Sequence, residues 1–281
     1  VPPLVALDVE PKFGAVSGGT EVTIVGDQFI RGPSLACSFD GVLAPLVRFV
    51  TTEVIVCETP PHATVGHSNV LLSNNGVDFV AAPTTFEFTP DLDLVAVEPL
   101  SVSAAGGAAL SVAGTGFLDA DTLACRVGDV TTLASFVSSH EVSCDVPALA
   151  GLKAGTAAVD VTVTNNGRDV ASAPEQLIYF AAPIIEAVAP KFGPSSGGSV
   201  VTLSGLNLVT IADSTALCRF GSAASATVVP AALELDQASG TTALTCTAPP
   251  APGGLLGAIP VEVSLNGGAD YSSSRIEFVY V

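Results

Sequence analysis

The feature that most constrains this chain is one stretch that occurs three times. It reads PKFGAVSGGTEVTIVG at residues 11–26, PLSVSAAGGAALSVAG at 99–114 and PKFGPSSGGSVVTLSG at 190–205. Each copy is followed by two cysteines, an Asn-Gly pair and a closing apolar and aromatic run, always in that order. Several markers in a constant order are typical of a tandem repeat, so the chain consists of three similar units.

Inside a unit the apolar residues alternate with other residues, as in TEVTIVG and VEVSLNGG. Short alternating segments bounded by Gly, Pro and Asn-Gly, without a period of 3.6, predict an all-β sandwich. The pairs Asn75-Gly76, Asn166-Gly167 and Asn266-Gly267 predict tight hairpin turns, because both residue types tolerate positive φ. A unit of about 90 residues is close to the length of an immunoglobulin-like domain.

The repeats predict three domains, at residues 1–89, 90–181 and 182–281. The linkers FEFTPDLDLVAVEP and YFAAPIIEAVAP are short, and they contain Pro90 and Pro183. Short linkers with proline are stiff. The sequence therefore predicts a rod of three domains.

Charge excludes some functions. The chain has 9 Lys and Arg against 27 Asp and Glu, a net charge of −18. Nucleic-acid binding depends on basic side chains that neutralise phosphates, so neither nucleic acid nor an anionic membrane is an expected partner. No apolar run reaches the length of a membrane span, so none is expected in this segment.

The pattern P-K-F-G-x-x-S-G-G-x-x-V-T-I-x-G-x-x-F, then Cys-x-Phe, then VIVCETPP, resembles the IPT/TIG domain, the immunoglobulin-like fold of plexins and transcription factors. The resemblance covers the whole chain as three units and is weaker in the second, which lacks Lys-Phe-Gly. It implies three tandem β-sandwiches. Such domains serve in cell-surface receptors, DNA-binding factors, starch-acting enzymes and microbial surface proteins, so the fold alone does not choose a function.

Six cysteines, two in each repeat at matching places, predict disulfides Cys37–Cys57, Cys125–Cys144 and Cys218–Cys246. Metal binding would need Cys-x-x-Cys or a neighbouring His, and neither is present. The other alternative is a set of reduced, buried cysteines in a cytosolic protein. Regular pairing favours an extracellular or cell-surface location.

Other residue groups have a chemical and a structural interpretation. Gly18-Gly19 fits a backbone turn better than a phosphate loop, because no Gly-Lys-Ser/Thr and no helix follows. His62, His67 and His140 lack the frame of a nucleophile and an acid that catalysis needs, so solvated loop positions are expected. We predict no catalytic residue, no cofactor and no enzyme activity.

Acidic residues Asp91, Asp93 and Glu98 cluster at the first linker and are weak calcium candidates. The second linker has only Glu186, so a solvated acidic linker is the favoured alternative. The loops ETPPHAT and TAPPAPGG follow the second cysteines. They suggest O-linked sugar or hydroxyproline, with ordinary stiff loops as the alternative; the candidate residues are Thr59, Pro60, Pro61, Pro249 and Pro250.

The closing FVYV could run directly into the opening PPLVALDVEP, as the internal linkers do. The sequence therefore predicts an excerpt of a longer array, or a protomer that associates head to tail into a filament. The first functional hypothesis is an extracellular structural protein, the repeating unit of a surface fibre, filament or adhesin stalk, with glycans as further partners.

The alternative is a ligand- or carbohydrate-binding receptor ectodomain. Binding sites on sandwiches lie in loops, and the aromatic residues available there are Phe79, Phe136 and Tyr271, one in each repeat. A Rel-like transcription factor is disfavoured by the net charge of −18.

Overall fold

The computed structural model describes residues 3–211, 214–222, 225–236, 241–254 and 256–281, and these are mostly β-strands. The strands of the first repeat are β1 Val5–Glu10, β2 Phe13–Ala15, β3 Glu21–Asp27, β4 Ala36–Phe39, β5 Val42–Leu43, β6 Val47–Thr51, β7 Val54–Glu58, β8 Gly66–Ser68, β9 Val70–Ser73, β10 Val80–Ala81 and β11 Phe86–Thr89.

The strands of the second repeat are β12 Asp93–Glu98, β13 Ser101–Ser103, β14 Ala109–Thr115, β15 Ala124–Val127, β16 Val130–Ser138, β17 Glu141–Asp145, β18 Thr156–Val159, β19 Val161–Thr164, β20 Ala171–Ser172 and β21 Leu177–Phe180. The third repeat contains β22 Ile184–Ala189, β23 Phe192–Gly193, β24 Val200–Leu206, β25 Leu217–Phe220, β26 Thr227–Asp236, β27 Thr241–Thr247, the short 3-10 helix Pro252–Gly254, β28 Gly257–Ser264 and β29 Ile276–Tyr280.

The chain divides into two compact units, and the division runs through the second repeat. Unit 1 holds the first repeat with Ser111–Cys144 and Val161–Pro174. Unit 2 holds Val97–Leu110, Asp145–Asp160 and Glu175–Val281, which include the third repeat. Unit 1 therefore contains most of the first linker, up to Ala96, and unit 2 contains the whole of the second.

In unit 1 the first repeat forms sheets with the orders β1-β3-β7-β6, β10-β9-β4-β5 and β2-β11-β8. The alternation predicted for β3 is observed, since Val22 and Ile24 are fully buried while Glu21 and Val25 are exposed. These side chains join a core whose largest buried members are Phe29, Phe39, Phe86 and Phe88. The all-β prediction is confirmed, and the apolar face of each strand explains why.

In unit 2 the third repeat forms one continuous order, β22-β24-β27-β26-β25-β28-β29-β23. The long strand β26 makes this possible because its first half pairs with β25 and its second half pairs with β27. Strands β13-β21-β18 of the second repeat form a separate three-stranded sheet. Phe220, Phe278 and Tyr280 anchor the core of the third repeat.

A short edge strand recurs in every repeat. Strands β2, β13 and β23 each follow a cis X-Pro peptide, and each pairs in parallel with the closing strand of its own repeat. The register places Phe13 opposite Glu87, Ser101 opposite Ile178 and Phe192 opposite Val279. Phe13, Ser101 and Phe192 are therefore equivalent positions.

The glycine pairs are turns, as interpreted from the sequence. Gly18, Gly106 and Gly197 have φ of 78°, 72° and 77°. A β-carbon on Gly18 would lie 2.6 Å from the backbone nitrogen of Pro61, and one on Gly197 would lie 2.6 Å from the backbone of Pro249 and Pro250. Glycine is therefore required twice over, by backbone conformation and by the close approach of the next loop.

Candidate functional site

The Asn-Gly turns are built by the asparagine side chain itself. Asn166 Oδ1 accepts hydrogen bonds of 2.9 Å from the backbone N–H groups of Arg168 and Asp169. Asn75 Oδ1 accepts from Val77 and Asp78 in the same way, at 2.9 and 2.8 Å. This is the local hydrogen bonding for which asparagine is favoured in turns.

Each turn also contains an aspartate that accepts from the asparagine amide. The Nδ2–Oδ2 distance is 2.8 Å for Asn75–Asp78, 2.9 Å for Asn166–Asp169 and 3.0 Å for Asn266–Asp270. An amide group has two N–H donors, so one donor of each asparagine remains for a partner outside the turn. We call the segment from this asparagine to its aspartate the docking turn.

In unit 1 the docking turn of the second repeat binds the first repeat. Asn166 Nδ2 donates to the backbone carbonyl of Phe13 at 2.9 Å, and Thr20 Oγ1 donates to Asp169 Oδ2 at 2.8 Å. Asn166 is 8% exposed and Thr20 is fully buried. The turn thus closes a partly buried polar contact in which donor and acceptor are both satisfied.

In unit 2 the docking turn of the third repeat binds the second repeat in the same manner. Asn266 Nδ2 donates to the carbonyl of Ser101 at 3.0 Å, and the backbone N–H of Ser103 donates to Asp270 Oδ2 at 2.9 Å. Asn266 is 6% exposed. Ala108 occupies the position of Thr20 and has no hydroxyl, so a main-chain donor replaces it.

The acceptor carbonyl is available to the docking turn because it belongs to an edge strand. Along β2, the carbonyl of Lys12 accepts from Glu87 on the closing strand. Neighbouring carbonyls of a strand point in opposite directions, so that of Phe13 faces outward, where an edge strand has unpaired groups. The docking turn covers this carbonyl.

We call the contact between a docking turn and the preceding repeat a joint. The first linker contributes to the joint in unit 1. Asp91 Oδ1 accepts from the backbone N–H of Ser17 at 3.0 Å, beside a cleft of about 270 Å³. Among the described residues no group of three or more His, Cys, Asp or Glu could hold a metal ion. The calcium candidates Asp91, Asp93 and Glu98 therefore form no such group, and the structure gives Asp91 a hydrogen-bonding role.

Two halves of a joint are exposed. Within the described ranges, the first repeat's Asn75 makes hydrogen bonds only to nearby residues of its own repeat, namely Ser73, Val77 and Asp78, and both Asn75 and Asp78 are exposed. At the other end of the series Phe192 is 63% exposed. Where two repeats meet, Asn166, Asn266 and Ser101 are buried, whereas Phe13 is half-buried.

The cysteines lie at equivalent places in the cores. Cys125–Cys144 and Cys218–Cys246 are disulfides, with Cα–Cα distances of 6.0 and 6.5 Å. Cys37 and Cys57 are buried and unbonded. Burial and the adjacent Cys37 thiol raise the pKa of the Cys57 thiol well above its usual value. The Cys37–Cys57 bridge stays a prediction.

The closing strands are tied to the loop after the second cysteine. Tyr179 and Tyr280 donate hydrogen bonds of 2.7 and 2.6 Å to the carbonyls of Pro147 and Pro249. Phe88 has no hydroxyl, and His62 stacks on its ring at 4.4 Å instead. His62 is therefore a partly exposed loop residue, as expected, and one face of its ring packs on Phe88.

The remaining candidates are dispersed. His67 lies on strand β8, not in a loop as expected, and His140 lies in the exposed turn before β17. Of the modification candidates, Pro61 and Pro250 are exposed, whereas Thr59, Pro60 and Pro249 are buried, which disfavours modification at these three.

The aromatic ligand candidates also differ in exposure. Phe79 and Phe136 are on the surface, whereas Tyr271 is covered by the Arg219 guanidinium at 3.8 Å from the ring centroid. The three side chains belong to three different repeats.

The docking aspartate was not predicted from the sequence, although a signal for it exists. The three turns read SNNGVD, TNNGRD and SLNGGAD, a hydroxyl residue, Asn-Gly and then Asp. The Asn-Gly pairs were predicted as hairpin turns alone. The recurrence of the acid three or four residues after the asparagine would have indicated a further shared role.

No helix in the described part of the chain is long and apolar enough to cross a membrane.

Comparison with known proteins identifies similar segments in much longer chains. Plexin-B3 of Homo sapiens is 33% identical over 112 residues, which cover 40% of this chain and 6% of plexin-B3. Fibrocystin of Canis lupus familiaris is 30% identical over 217 residues, which cover 71% of this chain and 5% of fibrocystin. The chain thus spans a small part of these relatives.

Among solved structures, the full extracellular region of plexin A4 matches 98% of this chain and 24% of its own length, with 18% identity and a TM-score of 0.44. The family model described as "IPT/TIG domain" matches residues 5–88, 94–179 and 183–280. These three ranges include nearly every residue of the chain, which belongs to the IPT/TIG domain family.

Proposed function

We propose that this chain is part of the extracellular portion of a receptor-type protein, in which IPT/TIG domains hold a protein-binding surface in a fixed relation to the next domain. The similarity to segments of plexin-B3 and fibrocystin supports this proposal over the fibre hypothesis. The docking turns support the fixed relation between domains, because each joins two domains through a directional hydrogen bond from a buried asparagine.

The observation that carries the proposal is the presence of core disulfides in two successive domains, Cys125–Cys144 and Cys218–Cys246. Disulfides persist in oxidising compartments and are rare in the cytosol. The net charge of −18 disfavours a nucleic-acid partner, because it would repel phosphates. Together they favour an extracellular protein with protein partners.

A surface on strand β16 is the best candidate for protein binding. Leu133 and Val137 are 74% and 57% exposed, and Phe136 beside them is also on the surface. Residues 130–133 of β16 pair with β15 and residues 134–138 pair with β17, so each half of the strand has a pairing partner that holds these side chains in place. Exposed apolar side chains together with an aromatic ring are typical of protein interfaces.

The location is tested on intact cells that make the full protein. A membrane-impermeant amine reagent should label Lys12, Lys153 and Lys191, which are all exposed, without lysis. Labelling of these lysines only after lysis, with Cys125 and Cys144 recovered as thiols, would contradict an extracellular location.

The binding surface is tested by photo-cross-linking on the same cells. A photoreactive residue at Val137 should form a protein adduct, whereas one at Leu43, equally exposed on the first repeat, is the control. The absence of any adduct at Val137, or equal adducts at both positions, would contradict the proposed surface.

The fibre, filament or adhesin-stalk role is a second candidate. The exposure of both halves of a joint, at Asn75 and Phe192, is the observation that favours it. Electron microscopy of the native protein, with and without reductant, tests it, since filaments are expected and dispersed chains would contradict it.

Modification of the exposed Pro61 and Pro250 is tested by intact mass. A mass equal to that of the bare polypeptide would contradict glycan or hydroxyproline at these positions.

A further inference from the structure

We propose that the exposed edge strand β23, together with Ser199, docks the Asn75–Asp78 turn of a second copy of this chain. The proposal goes beyond the receptor function, because it concerns contacts between copies and needs no other ligand. It extends a contact that the chain already makes twice, once in each unit.

Phe192 presents the same unpaired carbonyl as its equivalents. On β23 the carbonyls of Lys191 and Gly193 accept from Val279 and Val281 of the closing strand. The carbonyl of Phe192, between them, therefore points away from β29. Phe13 and Ser101, at the same register, use this carbonyl to accept from the asparagine of a docking turn.

A donor for the aspartate is also in place. Ser199 corresponds to Thr20, since its hydroxyl lies over Gly193 as that of Thr20 lies over Gly14. Thr20 donates to Asp169 in unit 1. Pro194 occupies the position of Ser103 and has no N–H, so the hydroxyl of Ser199 is the donor that an incoming aspartate would use.

The incoming turn is already formed before it binds. Asn75 Oδ1 accepts from Val77 and Asp78, and Asn75 Nδ2 donates to Asp78. The second amide N–H is left for the Phe192 carbonyl. Such preorganisation lowers the entropy cost of association.

Charge matters in two opposing ways. Lys191 is exposed next to Phe192 and favours the approach of Asp78. The net charge of −18 on each copy opposes association at long range, and salt screens this repulsion. Association of copies is therefore expected to strengthen from low to physiological ionic strength.

The contact joins two different surfaces, so it is heterologous. A pair held by it keeps one free turn and one free edge, and further copies can add unless a ring closes. Within one chain the linker holds the two repeats at an effective concentration in the millimolar range. Separate copies lack this linker, so they should associate only at high concentration.

The test is sedimentation equilibrium of the full chain at concentrations up to the millimolar range, at low and physiological salt. The average mass should rise with concentration. Asn75→Asp keeps the turn-forming oxygen and removes the donor, and Ser199→Ala removes the hydroxyl; each should weaken association about fivefold or more. Val65→Asp adds the same negative charge at an exposed position of the first repeat outside the docking turn, and Ser196→Ala removes an exposed hydroxyl near Ser199; both should act as the wild type.

A mixture of the two variants gives a further test. Asn75→Asp chains retain the edge and Ser199→Ala chains retain the turn, so the mixture should form pairs through one intact contact. A constant monomer mass at every concentration would overturn the proposal. Equal weakening by the control variants, or no gain on mixing, would overturn it as well.

Discussion

The side-chain amide of Asn166 donates a 2.9 Å hydrogen bond to the main-chain carbonyl of Phe13, a residue 153 positions earlier in the chain. The bond joins the second repeat to the first, and Asn266 makes the equivalent bond to Ser101 in unit 2. A turn that a hairpin needs locally therefore also holds consecutive domains together.

The first prediction concerns the buried donor of this contact. Asn166→Asp keeps the turn-forming oxygen but leaves the Phe13 carbonyl unpaired and places a carboxylate beside Asp169. A loss of about 1–3 kcal/mol at the joint is expected. Hydrogen exchange of residues 11–20 measures it, and the same change at the exposed Asn75 is the control, with an effect within about 0.5 kcal/mol. Equal effects of the two changes would contradict the role of the joint.

The second prediction separates the two glycines of a pair. Gly197→Ala puts a β-carbon 2.6 Å from the backbone of Pro249. It should cost about 1–2 kcal/mol for its positive φ and about 1–3 kcal/mol more for the clash. Gly198→Ala meets no atom within 4 Å and should cost only the first part. Urea unfolding of the two variants measures the difference, and identical stabilities would show that the loop yields freely.

The third prediction is a loss of stability at alkaline pH. Burial raises the pKa of Tyr179 and Tyr280 above the ordinary value of 10.0. Above pH 10 the unfolded phenols ionise while the folded ones resist, so folding stability is complete below that pH and falls as the pH rises further.

The variant Tyr280→Phe tests this assignment. It should cost about 1 kcal/mol at neutral pH, because the bond to Pro249 is lost, and it should flatten the alkaline decline. Urea unfolding between neutral pH and pH about 11 is the measurement. An unchanged alkaline slope in the variant would refute the assignment to Tyr280.

The fourth prediction concerns the unbonded pair in the first repeat. Cys37 and Cys57 are equivalent to the bonded pairs, so native protein from an oxidising compartment should contain a third bridge. A bridge over a loop of this length is worth about 3 kcal/mol. Thiol alkylation after unfolding without reductant, read by peptide mass spectrometry, should leave both residues unlabelled. Labelling of Cys37 and Cys57 would contradict the bridge.

The fifth prediction is selective deamidation. In an Asn-Gly pair the glycine nitrogen attacks the asparagine side-chain carbon, ammonia leaves, and water opens the succinimide to aspartate or isoaspartate. Asn75 is exposed, whereas the amides of Asn166 and Asn266 are buried in joints. Ageing at mildly alkaline pH should convert Asn75 first, as peptide mapping can show. Equal rates at all three sites in folded protein would contradict the protection, and unfolded protein is the control.

The repeat pattern was sufficient to predict the class of fold. Val22 and Ile24 alternate with outward-facing residues, and the structure buries both. The positive φ of Gly197 was also predictable, because it depends on residues adjacent in sequence. Such features are local, because backbone sterics and the period of two in a strand depend only on residues close together in the sequence.

The role of the docking turn was not predictable in this way. Sequence alone determined that Asn166-Gly167 forms a turn, since turn formation needs only neighbouring residues. Only the tertiary structure decided that the remaining amide N–H meets the carbonyl of Phe13, because an edge strand leaves that carbonyl unpaired and the fold of two domains brings the groups together. The same Asn-Gly motif at Asn75 is exposed to solvent. A joint therefore forms only where a neighbouring repeat supplies the acceptor carbonyl.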